Sequence, residues 1–168
     1  MQNAVRAYIS LGSNAPQAEV VLGRACHCLE RLPDMRLAVV SPVYHTEPQE
    51  YRQQPWFLNQ VAELLPGRGW EPAKLMYALF EVEQRLGRVR STSAERFGPR
   101  VIDADLLLYG AERSTCAECT LPHPRMTRRA FVLIPLLGIA PDIRINGVRA
   151  TDLLELLDYR LEGKKIFQ

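Results

Sequence analysis

The chain of 168 residues combines 47% hydrophobic with 24% charged residues and carries a formal net charge of +2. This composition is typical of a globular domain, and the length allows about 70% of the unfolded surface to leave water on folding. No run approaches about 18 consecutive apolar residues, and the first ten residues lack the regions of a signal peptide. We therefore expect a single domain over residues 1–168, located in the cytoplasm, with no membrane partner.

The first half of the chain predicts a strand, a helix and two further strands. Residues 7–11 alternate in side-chain character and end at a Gly-Ser-Asn turn. Residues 17–32 place apolar side chains at helical spacing until a proline ends the pattern. Residues 36–46 and 56–65 have the composition of strands, and Pro42 marks a bulge or an edge in the first of them.

The second half predicts a helix, a strand and a C-terminal extension. Pro72 and Gly87 frame the helix as its start and its C-terminal cap. The strand covers residues 100–110, so the order β-α-β-β-α-β predicts an α+β fold with a ferredoxin-like core, in which helices cover an antiparallel sheet. In the extension, residues 126–140 are partly helical and Thr151 is a candidate N-cap of a short helix.

Two aspartates interrupt the apolar strand RVIDADLLLYG. Because side chains alternate along a strand, Asp103 and Asp105 share one face, with α-carbons about 6.5 to 7 Å apart. Two unpaired carboxylates there would be costly to remove from water, so a cationic group should lie between or above them. That group could be a salt-bridging side chain or Mg²⁺. The alternation also places Val101 and Leu107 on the aspartate face, and Ile102, Ala104, Leu106 and Leu108 on the other.

Arginines cluster on both sides of this strand. Guanidinium groups bind phosphate with two parallel hydrogen bonds and neutralise the charge that spreads in phosphoryl transfer. A nucleic-acid-binding face, or scattered solvated arginines, would give a similar count. The chain has no Walker-type loop, so any nucleotide must bind to a different scaffold. The first cluster comprises Arg88, Arg90, Arg96 and Arg100, and the second comprises Arg125, Arg128 and Arg129.

Three further side chains are candidates for ligand binding. His123 lies between two prolines that fix its backbone, and it could donate a hydrogen bond to a phosphate or have a structural role in its loop. Phe57 and Asn59 are two residues apart on a strand and share a face. An aromatic ring and an amide on one face suit a flat heterocycle, although Phe57 alone is more often a core residue.

The four cysteines form two closely spaced pairs, which raises the possibility of a zinc site. Cys26 and Cys28 lie in a helical pattern, where positions two apart face nearly opposite directions. Cys116 and Cys119 lack a strong turn glycine beside them. We therefore interpret all four as reduced packing or loop residues and expect no zinc.

In combination, these segments resemble the 6-hydroxymethyl-7,8-dihydropterin pyrophosphokinase family. The resemblance runs through AYISLGSN, YHTEP, QPWFLNQV, EVEQRLGRVR, RFGPRVIDADLLLYG and LPHPRMTRRAFVLIPLLGIAPD, and so covers nearly the whole chain. It implies a ferredoxin-like core and transfer of the β,γ-pyrophosphoryl unit of ATP to the hydroxymethyl oxygen of the pterin. AMP is then the other product, and two Mg²⁺ ions take part.

The resemblance also implies roles for individual residues. Aromatic side chains would sandwich the pterin ring while an amide satisfies its polar edge. The expected catalytic residues are Arg88, Arg100, Asp103 and Asp105, of which the two aspartates match the metal-binding carboxylates. The expected ATP-binding residues are Arg88, Arg90, Arg96, Arg100, Thr120 and His123. The expected pterin-binding residues are Thr46, Phe57, Asn59, Phe97 and Phe131.

Some positions depart from the family pattern. Phe97 stands where Trp is common, and Gln49 and Glu50 stand where an apolar residue and Gly are usual, in loops that would close on the pterin. These differences bear on rate and affinity more than on the class of reaction.

Two alternatives are a paralogue with an altered pterin substrate and a module that binds nucleic acid or nucleotide. The chain lacks the signature of an RNA-recognition module, which counts against the second alternative. We expect a monomer whose partners are the small molecules ATP and the pterin, with no nucleic acid.

Overall fold

The computed structural model describes residues 4–48, 53–88 and 100–168. Within these ranges the chain forms a seven-stranded sheet, two small two-stranded sheets, four α-helices and one 3₁₀ turn. This arrangement confirms a mixed α and β fold. None of the described helices is long and apolar enough to cross a membrane.

The large sheet contains β1 (Ala7–Ser13), β2 (Met35–Val40), β3 (Tyr44–Thr46), β4 (Phe57–Pro66), β5 (Asp103–Tyr109), β10 (Arg160–Glu162) and β11 (Lys165–Phe167). The small sheets are hairpins, formed by β6 (Ser114–Cys116) with β7 (Cys119–Leu121) and by β8 (Arg144–Ile145) with β9 (Val148–Arg149). The helices are α1 (Ala18–Glu30), α2 (Pro72–Arg85), α3 (Ala130–Ile139) and α4 (Ala150–Glu155), and the 3₁₀ turn is Met126–Arg128.

The large sheet runs in the order β10, β11, β3, β4, β1, β5, with β2 also paired to β4. The predicted strand over residues 36–46 is two strands, which pair antiparallel with successive parts of β4. Pro42 lies in the break between them, where Ser41 Oγ accepts a hydrogen bond of 2.9 Å from the Val61 amide. A side-chain oxygen thus replaces one bond of the ladder beside the proline. The sheet is also not wholly antiparallel, because β11 runs parallel to β3.

Both faces of the large sheet are buried under helices. On one face, α1 and α2 pack their apolar stripes against β1, β4 and β5. Gly87 follows the end of α2 with a φ of 93°, which confirms its predicted role at the C-terminal cap. On the opposite face, α3 and α4 cover a second cluster that includes Tyr8, Val61 and Leu107. The sheet is therefore the middle layer of three.

A β-bulge changes the alternation in β5. Tyr8 is opposite Leu108 whereas Ile9 is opposite Leu106, so Leu107 is the extra residue. Leu108 therefore lies with Leu107 in the cluster under α3, and its predicted place beside Leu106 is wrong. A bulge adds a residue to one strand, so strict alternation does not continue through it.

The start of α4 also differs from its sequence-based prediction. The helix begins at Ala150, so Thr151 lies inside its first turn and is not the N-cap. Arg149 holds the preceding position, and its guanidinium donates to Asp152 at 2.6 Å. An ion pair in the first turn replaces the expected hydroxyl cap.

A buried carboxylate on the α3 side of the sheet is matched by two donors. Glu63 of β4 accepts a hydrogen bond of 2.8 Å from the Tyr8 hydroxyl and one of 2.5 Å from Arg6 Nη1. Burial, followed by the hydrogen bond and the charge of Glu63, raises the pKa of Tyr8 to about 12. Tyr8 therefore stays neutral over the whole physiological range.

We expect the Tyr8 phenol to ionise near pH 12 in the folded protein, compared with near pH 10 for an ordinary tyrosine. Between these values the folded state binds more protons than the unfolded state, so the free energy of unfolding falls as pH rises. Tyrosinate absorbance after rapid pH jumps, recorded for the wild type and for Tyr8→Phe, isolates this one phenol. A difference signal with a midpoint near pH 10 would contradict the assignment.

Candidate active site

Three neighbouring strands place Asn59, Gly12 and Asp103 side by side. Gly12 of β1 is opposite Asn59 of β4 on one side and opposite Asp103 of β5 on the other. With a strand spacing of about 4.8 Å, the outer two α-carbons are about 10 Å apart. A Cβ atom on Gly12 would lie 2.6 Å from Asn59 Oδ1. The amide side chain therefore occupies the space that any other residue at position 12 would need.

The Asn59 amide is fixed by a neighbour on β3. Its Nδ2 donates a hydrogen bond of 2.6 Å to Thr46 Oγ1, and both side chains are buried. Phe57 is directly opposite Thr46 in the same pair of strands. The structure thus brings three of the expected pterin-binding residues together at the junction of β3 and β4.

Phe131 approaches this region from α3. It packs against the clusters that α3 forms on the Asn59 side of the sheet, and the Arg129 guanidinium lies 5.4 Å from its ring centroid. A second aromatic side chain therefore lies on the same side of the sheet as Phe57.

Asp103 is paired with two arginines. Arg88 contacts Asp103 Oδ1, and Arg100 Nη1 is 2.7 Å from Asp103 Oδ2. The cationic partner expected from the sequence is therefore present as two guanidinium groups. Asp105 is opposite Ser10 on β1, and no side chain in the described ranges forms a salt bridge with its carboxylate.

Glu83 of α2 organises this cluster and was not predicted. Its buried Oε1 accepts hydrogen bonds of 2.5 Å from Arg88 Nη1 and 2.8 Å from the Ala104 amide. It therefore ties the arginine to the strand segment between the two aspartates. The helical stripe contained a signal, because position 83 is four residues after Leu79 and so faces the sheet.

Asn14, immediately after β1, joins two other chain segments. Its Oδ1 accepts a hydrogen bond of 2.7 Å from the Arg100 amide, and its Nδ2 donates to Gln54 Oε1 at 3.0 Å. The neighbouring Ser13 hydroxyl donates to the Val101 carbonyl at 2.6 Å. The sequence pattern indicated only a turn at these residues, yet they hold the segments that lead into β4 and β5.

His123 is held by hydrogen bonds at its backbone amide and at Nδ1 of its ring. Its amide donates to the Leu107 carbonyl at 2.9 Å, and its Nδ1 accepts from the Arg125 amide at 3.2 Å. Burial lowers the pKa of His123; the charge of Asp105 opposes this shift, and Arg129 and Arg125 add to it. In a neutral imidazole whose Nδ1 accepts, Nε2 carries the proton and can donate it to a ligand.

Thr120 lies on β7, next to the turn that carries His123. Its hydroxyl donates to the Cys116 carbonyl at 3.0 Å, within the β6–β7 hairpin. The hydroxyl proton of Thr120 is therefore engaged in a hydrogen bond within its own hairpin. The remaining expected positions, Arg90, Arg96 and Phe97 together with Gln49 and Glu50, lie outside the described residues.

The carboxylates of this site fit a magnesium ion that takes only a few of its ligands from the protein. Asp103 and Asp105 offer carboxylate oxygens on one face of β5, which are ligands that Mg²⁺ prefers. In the described part of the chain, no group of three or more His, Cys, Asp or Glu side chains gathers as a metal site. The remaining ligands would have to be water or phosphate oxygens, as is usual for Mg²⁺.

The protein thus has a mixed α and β fold in which a sheet covered by helices carries a carboxylate pair beside arginines, side chains that are typical of sites for phosphate-bearing molecules. The family model described as 7,8-dihydro-6-hydroxymethylpterin-pyrophosphokinase (HPPK) matches residues 8–141. The chain belongs to this family.

Similar proteins named 2-amino-4-hydroxy-6-hydroxymethyldihydropteridine pyrophosphokinase occur in several bacteria. The one from Pseudomonas aeruginosa is 41% identical over 86% of this chain and 86% of its own length. The one from Methylorubrum extorquens is 38% identical over 91% of this chain and 94% of its own length. The relatives therefore match this chain over most of their length.

Solved structures support the fold. The crystal structure of Plasmodium falciparum HPPK-DHPS with pteroate superposes with a TM-score of 0.66 and covers 91% of this chain at 12% identity. The chain spans 44% of that structure's length. At this identity the likeness concerns the fold alone.

We expect Glu83→Ala to lower the free energy of unfolding by about 2 to 3 kcal/mol, because it leaves the buried Ala104 amide without an acceptor and removes one of the two carboxylates that hold Arg88. Urea unfolding measures this difference. Glu81→Ala, an exposed position on the same helix, is the matched control and should change stability by less than about 0.5 kcal/mol. Equal effects of the two substitutions would refute the role of Glu83.

Proposed function

We propose that this protein transfers the pyrophosphoryl unit of ATP to 6-hydroxymethyl-7,8-dihydropterin, giving AMP and the pterin diphosphate, as a step in folate biosynthesis. The side-by-side placement of Asn59, Gly12 and Asp103 in a row on three strands carries the proposal, because it puts a buried amide next to a cluster of carboxylates and arginines. Family membership and the names of the relatives support the same reaction.

The pterin would bind on the Asn59 side of the row. Nδ2 of Asn59 is already used by Thr46, so Oδ1 is the atom that can accept a hydrogen bond from the amino edge of a pterin. Phe57 and Phe131 supply aromatic surface for the ring. Phe97 also belongs to the proposed pterin site, and its assignment rests on the family resemblance.

The triphosphate would bind on the Asp103 side of the row. The substrate hydroxyl oxygen forms a bond to the β-phosphorus while the bond from that phosphorus to the bridging oxygen of AMP breaks. Arg88 and Arg100 would neutralise charge on the transferring group. Asp103 or Asp105 would accept the proton of the hydroxyl group.

Two Mg²⁺ ions belong to the proposal, with Asp103 and Asp105 as their protein ligands. When bound, the ions would neutralise phosphate charge. His123 would donate from Nε2 to a phosphate oxygen, since its Nδ1 is occupied by the Arg125 amide. Arg90, Arg96 and Thr120 complete the proposed ATP site.

We also propose that the core of the fold is ferredoxin-like. The order of β5, β1 and β4, followed by β2 and β3, supports the ferredoxin-like core. Four further expectations remain predictions from the sequence. They are a single domain over residues 1–168, a cytoplasmic location, a monomeric state and the absence of a nucleic-acid partner.

We expect AMP release only when ATP, Mg²⁺ and 6-hydroxymethyl-7,8-dihydropterin are all present. Asp103→Ala should slow AMP formation by at least about 100-fold, because it removes a ligand that orients the phosphates. Asp142→Ala, at an exposed position, is the matched control and should retain full activity. Folded protein that binds ATP but forms no AMP would count against the reaction and favour a different pterin.

We expect Gly12→Ala to weaken pterin binding by about 10-fold, because the added Cβ would displace Asn59 Oδ1 and remove one hydrogen bond. Fluorescence titration with the pterin measures the affinity, and ATP binding should be unchanged. Gly23→Ala is the control, since no atom lies within 4 Å of its added Cβ. Unchanged pterin affinity in Gly12→Ala would show that Asn59 does not contact the ligand.

A further inference from the structure

We infer that Gln168, at the end of the β10–β11 hairpin, is a positioning residue for the pterin pocket. This inference rests on the proposed function, because it concerns the placement of Thr46 and Phe131. Gln168 joins the chain after β3 to the start of α3. These two regions carry Thr46 and Phe131, which belong to the proposed pterin site.

The first connection is to β3. The backbone amide of Gln168 donates a hydrogen bond of 2.9 Å to Glu47 Oε1, and the backbone amide of Glu47 donates to the Ile166 carbonyl at 3.3 Å. Ile166 is opposite Thr46 in the parallel pairing of β11 with β3. The hairpin thus fixes the strand whose threonine holds the Asn59 amide.

The second connection is to the start of α3. Gln168 Oε1 accepts a hydrogen bond of 2.7 Å from the Ala130 amide, and its Nε2 donates to the Arg128 carbonyl at 2.9 Å. The N-cap position, Arg129, makes no side-chain capping bond. The first amides of a helix need acceptors, so Gln168 supplies from a distant part of the chain what a local cap would supply elsewhere.

Packing supports both connections. Ile166, Ala130 and Ile134 form one buried cluster, against which Tyr44 and Phe131 pack. Because Phe131 immediately follows Ala130, the bond to Gln168 sets the position of the first turn that carries this ring. One residue therefore connects the two regions, through its backbone amide on the β3 side and through its side chain on the α3 side.

The experiment compares Gln168→Met with the wild type. Methionine has a similar length and no strong hydrogen-bonding groups, so it removes both side-chain bonds and preserves much of the volume. We expect pterin affinity to fall by about 5-fold, which corresponds to about 1 kcal/mol. ATP affinity and the rate at saturating pterin should be unchanged.

Two further variants separate positioning from general stability. Glu47→Gln keeps an oxygen that can accept from the Gln168 amide and should retain wild-type pterin affinity, whereas Glu47→Ala should weaken it. Glu162→Gln is the control in the same hairpin, because its carboxylate pairs with Arg160 at 3.0 Å and is partly exposed. It should leave both affinities unchanged.

Hydrogen exchange of the Ala130 amide gives a readout that does not depend on turnover. Faster exchange together with weaker pterin binding in Gln168→Met would support the inference. Faster exchange with unchanged pterin affinity, or an equal loss of pterin and ATP affinity, would overturn it while the proposed function stands. A wild-type protein that neither binds the pterin nor forms AMP would overturn both.

Discussion

The placement of carboxylates against a sheet that is buried on both faces is the constraint on which the rest of the structure depends. A buried charge must be matched by hydrogen bonds or opposite charges, because its transfer from water is otherwise too costly. Glu63 is matched by Tyr8 and Arg6, while Glu83 is matched by Arg88 and a backbone amide. These contacts with buried carboxylates fix the positions of the Arg6 and Arg88 guanidinium groups.

Patterns of period two and period 3.6 were sufficient to predict the main strands, α1, α2 and the shared face of Asp103 and Asp105. They could not predict the bulge at Leu107, because the extra residue depends on how β1 pairs with β5. The division of one expected strand into β2 and β3 has a similar origin. Pro42 marked the irregularity, but the length of β4 decides that both pieces find partners.

The candidate site also has one part that could be predicted from the sequence and one part that could not. The chemistry of Asp103, Arg88 and Asn59 could be inferred from residue type and family resemblance, since these residues lie in distinct motifs. The supporting contacts could not be inferred. Glu47 and Gln168 are 121 positions apart, and the fold alone brings them together. Gly12 was visible only as part of a turn, although the close approach of Asn59 is what requires a glycine there.

The outer edge of β5 shows a further consequence of the contacts around the aspartates. A terminal strand of a sheet presents unpaired amides and carbonyls that can pair with another chain and start aggregation. In β5, the Ala104 amide is taken by the Glu83 carboxylate and the Leu107 carbonyl is taken by the His123 amide. Asp105, which forms no salt bridge with the described side chains, adds a charge on this strand. The contacts around the candidate site therefore leave fewer backbone groups on this strand free to pair with other molecules, which connects the site to resistance against aggregation.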